Sequence, residues 1–174
     1  MAMVRRFFSE GYPFPAMRAL VTVSTGFSGD PETTIFLVAP IMTYLLDGGV
    51  ENDVLHGGTG NDQLIANYSN DQLFGDPGLD TFEIHASSLV TTIRDFKPFT
   101  VTGVTWSFSK GISYSFDHEK IDLTAFNFDD YSDLMGRSAE VHGDAYLVLD
   151  SDSYSYVIIE NVSLSDLSAE NFLF

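Results

Sequence analysis

The chain has 174 residues, 44% of them hydrophobic, with 25 Asp and Glu against 8 Lys and Arg. It is long enough for one core and too apolar for a disordered chain. A net charge of −17 argues against nucleic acid or an anionic membrane surface as partner, because both need cationic groups, and points to a cation instead. With no cysteine, disulfides and thiolate zinc sites are excluded, so a small extracellular fold would need another staple.

In chain order, residues 1–46 hold three acids and three bases, leaving 22 acids and 5 bases for 47–174. The opening "MAMVRRFF" has the arginines of a signal-peptide start, but Ser9, Glu10, Pro13 and Pro15 interrupt the apolar stretch that should come next, so no Sec signal is predicted. "GFSGD", Gly26 to Asp30, falls one glycine short of a nucleophile elbow and reads as a loop. The longest apolar run, Thr33 to Leu46, is too short for a bilayer and holds Pro40, so no membrane span is predicted. Residues 1–46 carry no motif; they are expected to cover one end of the fold built by residues 47–174 or to continue a longer upstream region.

From Gly48 the chain repeats in nines: "GGVENDVLH", "GGTGNDQLI", "ANYSNDQLF", "GDPGLDTFE". Asp53, Asp62, Asp71 and Asp80 recur at constant spacing, as do Leu55, Leu64, Leu73 and Phe82. A fixed short period means stacked units. Six turn residues and a three-residue strand put the apolar residue at the strand centre, facing a core. So tight a reversal needs glycine where φ is positive and aims backbone carbonyls inward. With an aspartate they form an oxygen cage suited to a hard cation such as Ca²⁺. A phosphate cradle is excluded, since Gln63 stands where the last glycine of GxGxxG belongs and the aspartates repel phosphate.

Gly57 to Ile65 fits GGxGxDxUx throughout and resembles the RTX, or haemolysin-type, calcium-binding nonapeptide repeats. The resemblance implies a parallel β-roll of 18-residue coils with each calcium between loops two repeats apart. Asp53 would then share an ion with Asp71, helped by carbonyls of Gly48, Val50, Asn67 and Ser69. Asp62 would share one with Asp80, helped by Gly57, Thr59, Asp76 and Gly78, giving about two calcium ions. Glu51 replaces a glycine in the first repeat, and Ala66, Asn67 and Ser69 replace three in the third. The Asp62/Asp80 site is therefore expected to be the stronger, and Asn67 is the replacement that best tolerates a glycine conformation.

After Thr81 the pattern is β, with hairpin turns predicted at Ser109 to Gly111 and Asp150 to Ser153 and one short helix at Asp129 to Met135, ended by Gly136. "TIRDF", "EKIDLTAF" and "VIIENVSLSDLSAENFLF" resemble the segment C-terminal to such repeats in many secreted bacterial proteins. Glu170 to Phe174 resembles the signal read by type I secretion machinery. The four histidines form no zinc motif, and "DHEKID", Asp117 to Asp122, reads as a solvated turn before a strand, with an acid–base pair or a further calcium site as the minority reading. The aromatic set Trp106, Phe108, Tyr114, Phe116, Tyr154 and Tyr156 reads as alternating core, with a sugar-stacking surface as the minority reading.

The expected architecture is all-β: an N-terminal segment 1–46 that either caps the roll or continues an upstream region, a short parallel β-roll 47–84, and a β-rich C-terminal cap 85–174. The expected role is an extracellular, non-enzymatic module that folds on binding calcium and supports secretion and stability. The alternatives are a module of a secreted hydrolase or polysaccharide-modifying enzyme, or an adhesive module for an extracellular polysaccharide.

Overall fold

The computed structural model describes residues 3–6, 21–24, 35–36, 45–85, 88–107, 111–150 and 154–174, with the backbone alone for strand residues up to 36 and from 100 to 117. "GFSGD" and Phe108 lie outside them, as do the side chains of Trp106, Tyr114 and Phe116.

Two short strands come first and pair antiparallel, β1 (Met3–Arg6) with β2 (Val21–Ser24). The parallel roll then runs through β3 (Ile35–Phe36) and β4 (Leu45–Asp47), which precede the repeats, and β5 (Val54–His56), β6 (Gln63–Ala66), β7 (Asp71–Phe74) and β8 (Thr81–Ile84). Alternate strands fall in alternate sheets: β4, β6 and β8 stack parallel in one, β3, β5 and β7 in the other. Leu55 sits over Leu73 and Leu64 over Phe82, one 18-residue coil apart. All four side chains are 0% exposed and form the interior column that the nine-residue period predicts. The all-β parallel roll is thus present, because two turns per coil bring the same apolar position back to the same height.

The parallel ladders continue past Ile84. β9 (Val90–Ile93) adds to β7, and β15 (Ser155–Ile159) adds to β9. β12 (Lys120–Asp122) adds to β8, and β16 (Phe172–Leu173) to β12. These later coils lack the repeat, yet Ile93, Ile159, Ile121 and Phe172 extend the same buried column.

The remaining segments are insertions. β10 (Thr100–Ser107) and β11 (Gly111–Asp117) make an antiparallel hairpin, consistent with the first predicted turn. β13 (Ala139–Val141) and β14 (Asp144–Asp150) extend the β15 edge antiparallel. Residues 108–110 and 151–153, at the tips of the two predicted hairpins, lie outside the described residues. A third hairpin is additional to those two: His142 and Gly143, both at positive φ, make the two-residue link between Val141 and Asp144.

The helix α1 (Tyr131–Arg137) begins two residues later than predicted, because Asp130 accepts from the Asp133 amide and so caps its start. Gly136 lies inside it rather than ending it; Ser138 closes the helix through its amide on the Met135 carbonyl and its hydroxyl on the Leu134 carbonyl. The apolar face of α1 buries Leu134 in the common core. No helix among the described residues is long and apolar enough to cross a membrane.

Candidate metal centre

The coil stacks the repeat aspartates in two columns, one at each end of the strands. Asp53 and Asp71 share one column; Asp62 and Asp80 share the other. In each pair the later carboxylate accepts from the earlier residue's backbone amide: Asp71 Oδ1 from Asp53 N at 3.0 Å, and Asp80 Oδ1 from Asp62 N at 2.8 Å. All four side chains are buried. Carboxylates so placed in low dielectric favour neutralisation by a proton or a cation.

The two columns differ in the second oxygen. Oδ2 of Asp71 accepts from the Asn67 amide at 3.2 Å. Oδ2 of Asp80 is buried with no hydrogen-bond partner among the described residues, on a side chain 1% exposed. The first residue of each loop explains the difference. A Cβ on Gly75 would stand 2.5 Å from Asp80 Oδ2, so glycine there lets the carboxylate fold back over the loop. Asp71 has Ala66 at the same place in its repeat, and its carboxylate turns to the Asn67 amide instead.

Burial is the main cause that lifts both carboxyls, Asp80 to about 7 and Asp71 to about 6. For Asp80 the charges of Glu119 and Asp62 add to burial, opposed by the Asp62 amide and by Lys97. For Asp71 the charges of Asp53 and Asp47 add, opposed by the two amides it binds.

Backbone carbonyls lie between the Asp62 and Asp80 loops. A Cβ on Gly78 would stand 1.5 Å from Gly60 O, and one on Gly57 2.8 Å from Gly75 O. Gly60 and Gly75, absent from the expected ligands, therefore point their oxygens into the interval between the Asp62 and Asp80 loops. Gly57 and Thr59 belong to the same loop as Asp62. Asp76 and Gly78, expected to face Asp62, present their carbonyls to Lys97 Nζ at 2.8 and 3.3 Å. In the other column Val50 O accepts from Ser69 Oγ at 2.6 Å, and Asn67 Nδ2 donates to Asp47 at 2.7 Å. Gly48 is a close neighbour of the Asp53 carboxylate, 2.7 Å from its Oδ2 to the position of a Cβ.

The strained positions also differ from expectation. Gly49, Gly58 and Asp76, each second in its repeat, have positive φ. In the third repeat the positive φ falls on Tyr68, not Asn67. Asn67 is held by its side-chain bond to Asp47 and its amide bond to Asp71, so the reversal passes to the next residue.

"DHEKID" is not a solvated turn throughout: Glu119 is 0% exposed. It precedes β12 as Asp80 precedes β8, and Lys120 N bonds Asp80 O as Thr81 N bonds Asp62 O. His56 stacks on Phe74 with its Nδ1 3.1 Å from Asp76, and His85 lies 2.8 Å from Glu83. Among the described residues no three acid or histidine side chains converge on one point. Each interval offers two carboxylates, with carbonyl oxygens around them. Such oxygen-only sets, with an orphaned Asp80 oxygen and glycines whose absent Cβ leaves the space, fit a hard divalent cation.

Residues 47–82 match the family model of the RTX calcium-binding nonapeptide repeat in four copies. A search of curated proteins finds no match.

Proposed function

We propose, for a chain whose residues 47–82 are RTX calcium-binding nonapeptide repeats, that it is an extracellular module whose folding is conditional on calcium and which supports the export and stability of a secreted protein. The repeats bind Ca²⁺ and are a structural module, not a catalytic one. Calcium, when bound, supplies the positive charge that the two carboxylate columns lack.

The observation that carries this reading is the buried Asp80 oxygen with no hydrogen-bond partner among the described residues, one coil above Asp62. Asp62 and Asp80, with Gly60 O and Gly75 O, would hold the stronger ion. Gly57, Thr59, Asp76 and Gly78 line the same two loops. Asp53 and Asp71, with Gly48, Val50, Asn67 and Ser69 around them, would hold the weaker one, since Asp71 spends both oxygens on backbone amides. Without metal, like charges stack along each column and oppose the coils. Whatever neutralises them adds its binding free energy to folding. A chain held unfolded where calcium is scarce is a fit cargo for type I secretion machinery, and extracellular calcium reaches concentrations that fill weak sites.

The test is a calcium titration of the chelator-stripped protein, read by far-UV circular dichroism and calorimetry. A disordered spectrum that becomes β-rich with about two ions bound is expected. A chain that is fully folded without calcium and unchanged by it would refute the reading.

A further inference from the structure

Besides the two calcium intervals there is a third, in the Asp62/Asp80 column, between the Asp80 loop and Glu119. Register makes it equivalent: Lys120 stands over Thr81 as Thr81 stands over Gln63, so Glu119 lies above Asp80 as Asp80 lies above Asp62. Its centre is filled by a group of the chain itself. Lys97 Nζ donates to Asp76 O at 2.8 Å, to Gly78 O at 3.3 Å and to Glu119 Oε1 at 2.5 Å. The Lys97 amide donates to the other Glu119 oxygen at 2.9 Å. Asp76 and Gly78 are second and fourth in their repeat. Eighteen residues earlier stand Gly58 and Gly60, and Gly60 O points into the interval below.

We propose that the Lys97 ammonium is a tethered substitute for calcium in this third interval, held by two carbonyls and a buried carboxylate, and that it ends the metal column there. The ammonium carries a single charge and three donors, which suits two carbonyls and one carboxylate. A divalent ion on the same oxygens, once the ammonium is gone, would take its remaining ligands from water and bind weakly. The coil built from residues outside the repeat is thereby closed without metal, while the interval below it requires one. This rests on the calcium reading above.

The experiment compares the whole chain with Lys97→Met and with Lys97→Met combined with Glu119→Gln. Calcium stoichiometry is measured by equilibrium dialysis, and the unmodified protein is crystallised with terbium in place of calcium for anomalous diffraction. Lys97→Met is expected to bind one ion more than the unmodified chain, with the weak affinity of extracellular sites, and the double variant to return to the original count. The terbium map should show an ion between Asp62 and Asp80 and none between Asp80 and Glu119. A folded Lys97→Met with an unchanged count would overturn the proposal, as would terbium bound by Glu119 with Lys97 displaced. Should Lys97→Met fold at no calcium concentration, the terbium map of the unmodified chain decides. Absence of bound ion anywhere in that chain would remove the calcium reading and this inference together, whereas loss of the third-interval result alone leaves the reading standing.

Discussion

Asp62 and Asp80 stand one coil apart, joined by the Asp62 amide on Oδ1 of Asp80, and leave Oδ2 of Asp80 buried with no hydrogen-bond partner among the described residues. Asp71, its counterpart in the other column, has both oxygens on amides. Asp80→Ala is therefore expected to weaken calcium binding by at least about tenfold, ~1.4 kcal/mol, and more than Asp71→Ala does. Asp71→Ala strands two buried amides and should cost about 1–3 kcal/mol of stability even in saturating calcium. Calorimetric titration of both variants, with denaturant unfolding in calcium, checks the pair; a larger affinity loss in Asp71→Ala would invert the ranking.

The raised carboxyls set a pH dependence. Asp80, near 7, and Asp71, near 6, hold protons in the fold that they release at about 4 in the unfolded chain. Their contribution to the metal-free fold is fully present below about pH 4 and is lost as pH rises through about 6 to 7. Calcium needs the deprotonated forms, so its stabilisation grows over the same window. In chelator, the folded fraction read by far-UV circular dichroism should fall between about pH 5 and pH 8, and Asp80→Asn should flatten that slope; a folded fraction that rises with pH there would contradict the assignment.

Tyr68 is 59% exposed and holds a φ of 46°, a conformation that costs a side-chain-bearing residue about 1–2 kcal/mol. Tyr68→Gly removes that strain and increases the freedom of the unfolded chain, two effects of opposite sign. A net gain of up to about 1 kcal/mol in calcium-saturated denaturant unfolding is expected, and Asn67→Gly should give no such gain. Equal gains at both positions would place the strain elsewhere.

Two glycines should answer alanine with opposite signs. Gly78→Ala drives a Cβ into Gly60 O and should cost at least about 1–3 kcal/mol while weakening calcium binding, because the two loops are pushed apart. Gly136 lies in the helix with open space where its Cβ would be, so Gly136→Ala should stabilise by about 0.5–1 kcal/mol with unchanged calcium affinity. Thermal unfolding and a calcium titration of each variant read both signs.

The repeat was legible because period, glycine and apolar column all carry one message, and Leu55, Leu64, Leu73 and Phe82 occupy the predicted column. Glu119 was hidden although its local signal is the same: an acid, one residue, then an apolar residue, in "EKI" as in "DQL" and "DTF". It lies 39 residues after Asp80 instead of 18, since the β10–β11 hairpin is inserted in the coil, and the period disappears. Lys97 has no sequence signal at all; only the stacking of loops brings its ammonium to the Asp76 and Gly78 carbonyls. Gly136 misled because a glycine's place in a helix depends on which residue caps it, and Ser138 does so here.

β16 puts Phe172 in the core and pairs it with Ile121, while the Leu173 carbonyl accepts from Leu123 N. These residues lie within the segment proposed as the export address. A receptor cannot grip residues that are already locked into a sheet, so label and keystone are alternative states of one peptide. Recognition would have to come first in time, and completion of the last coil would then withdraw the label once delivery is over.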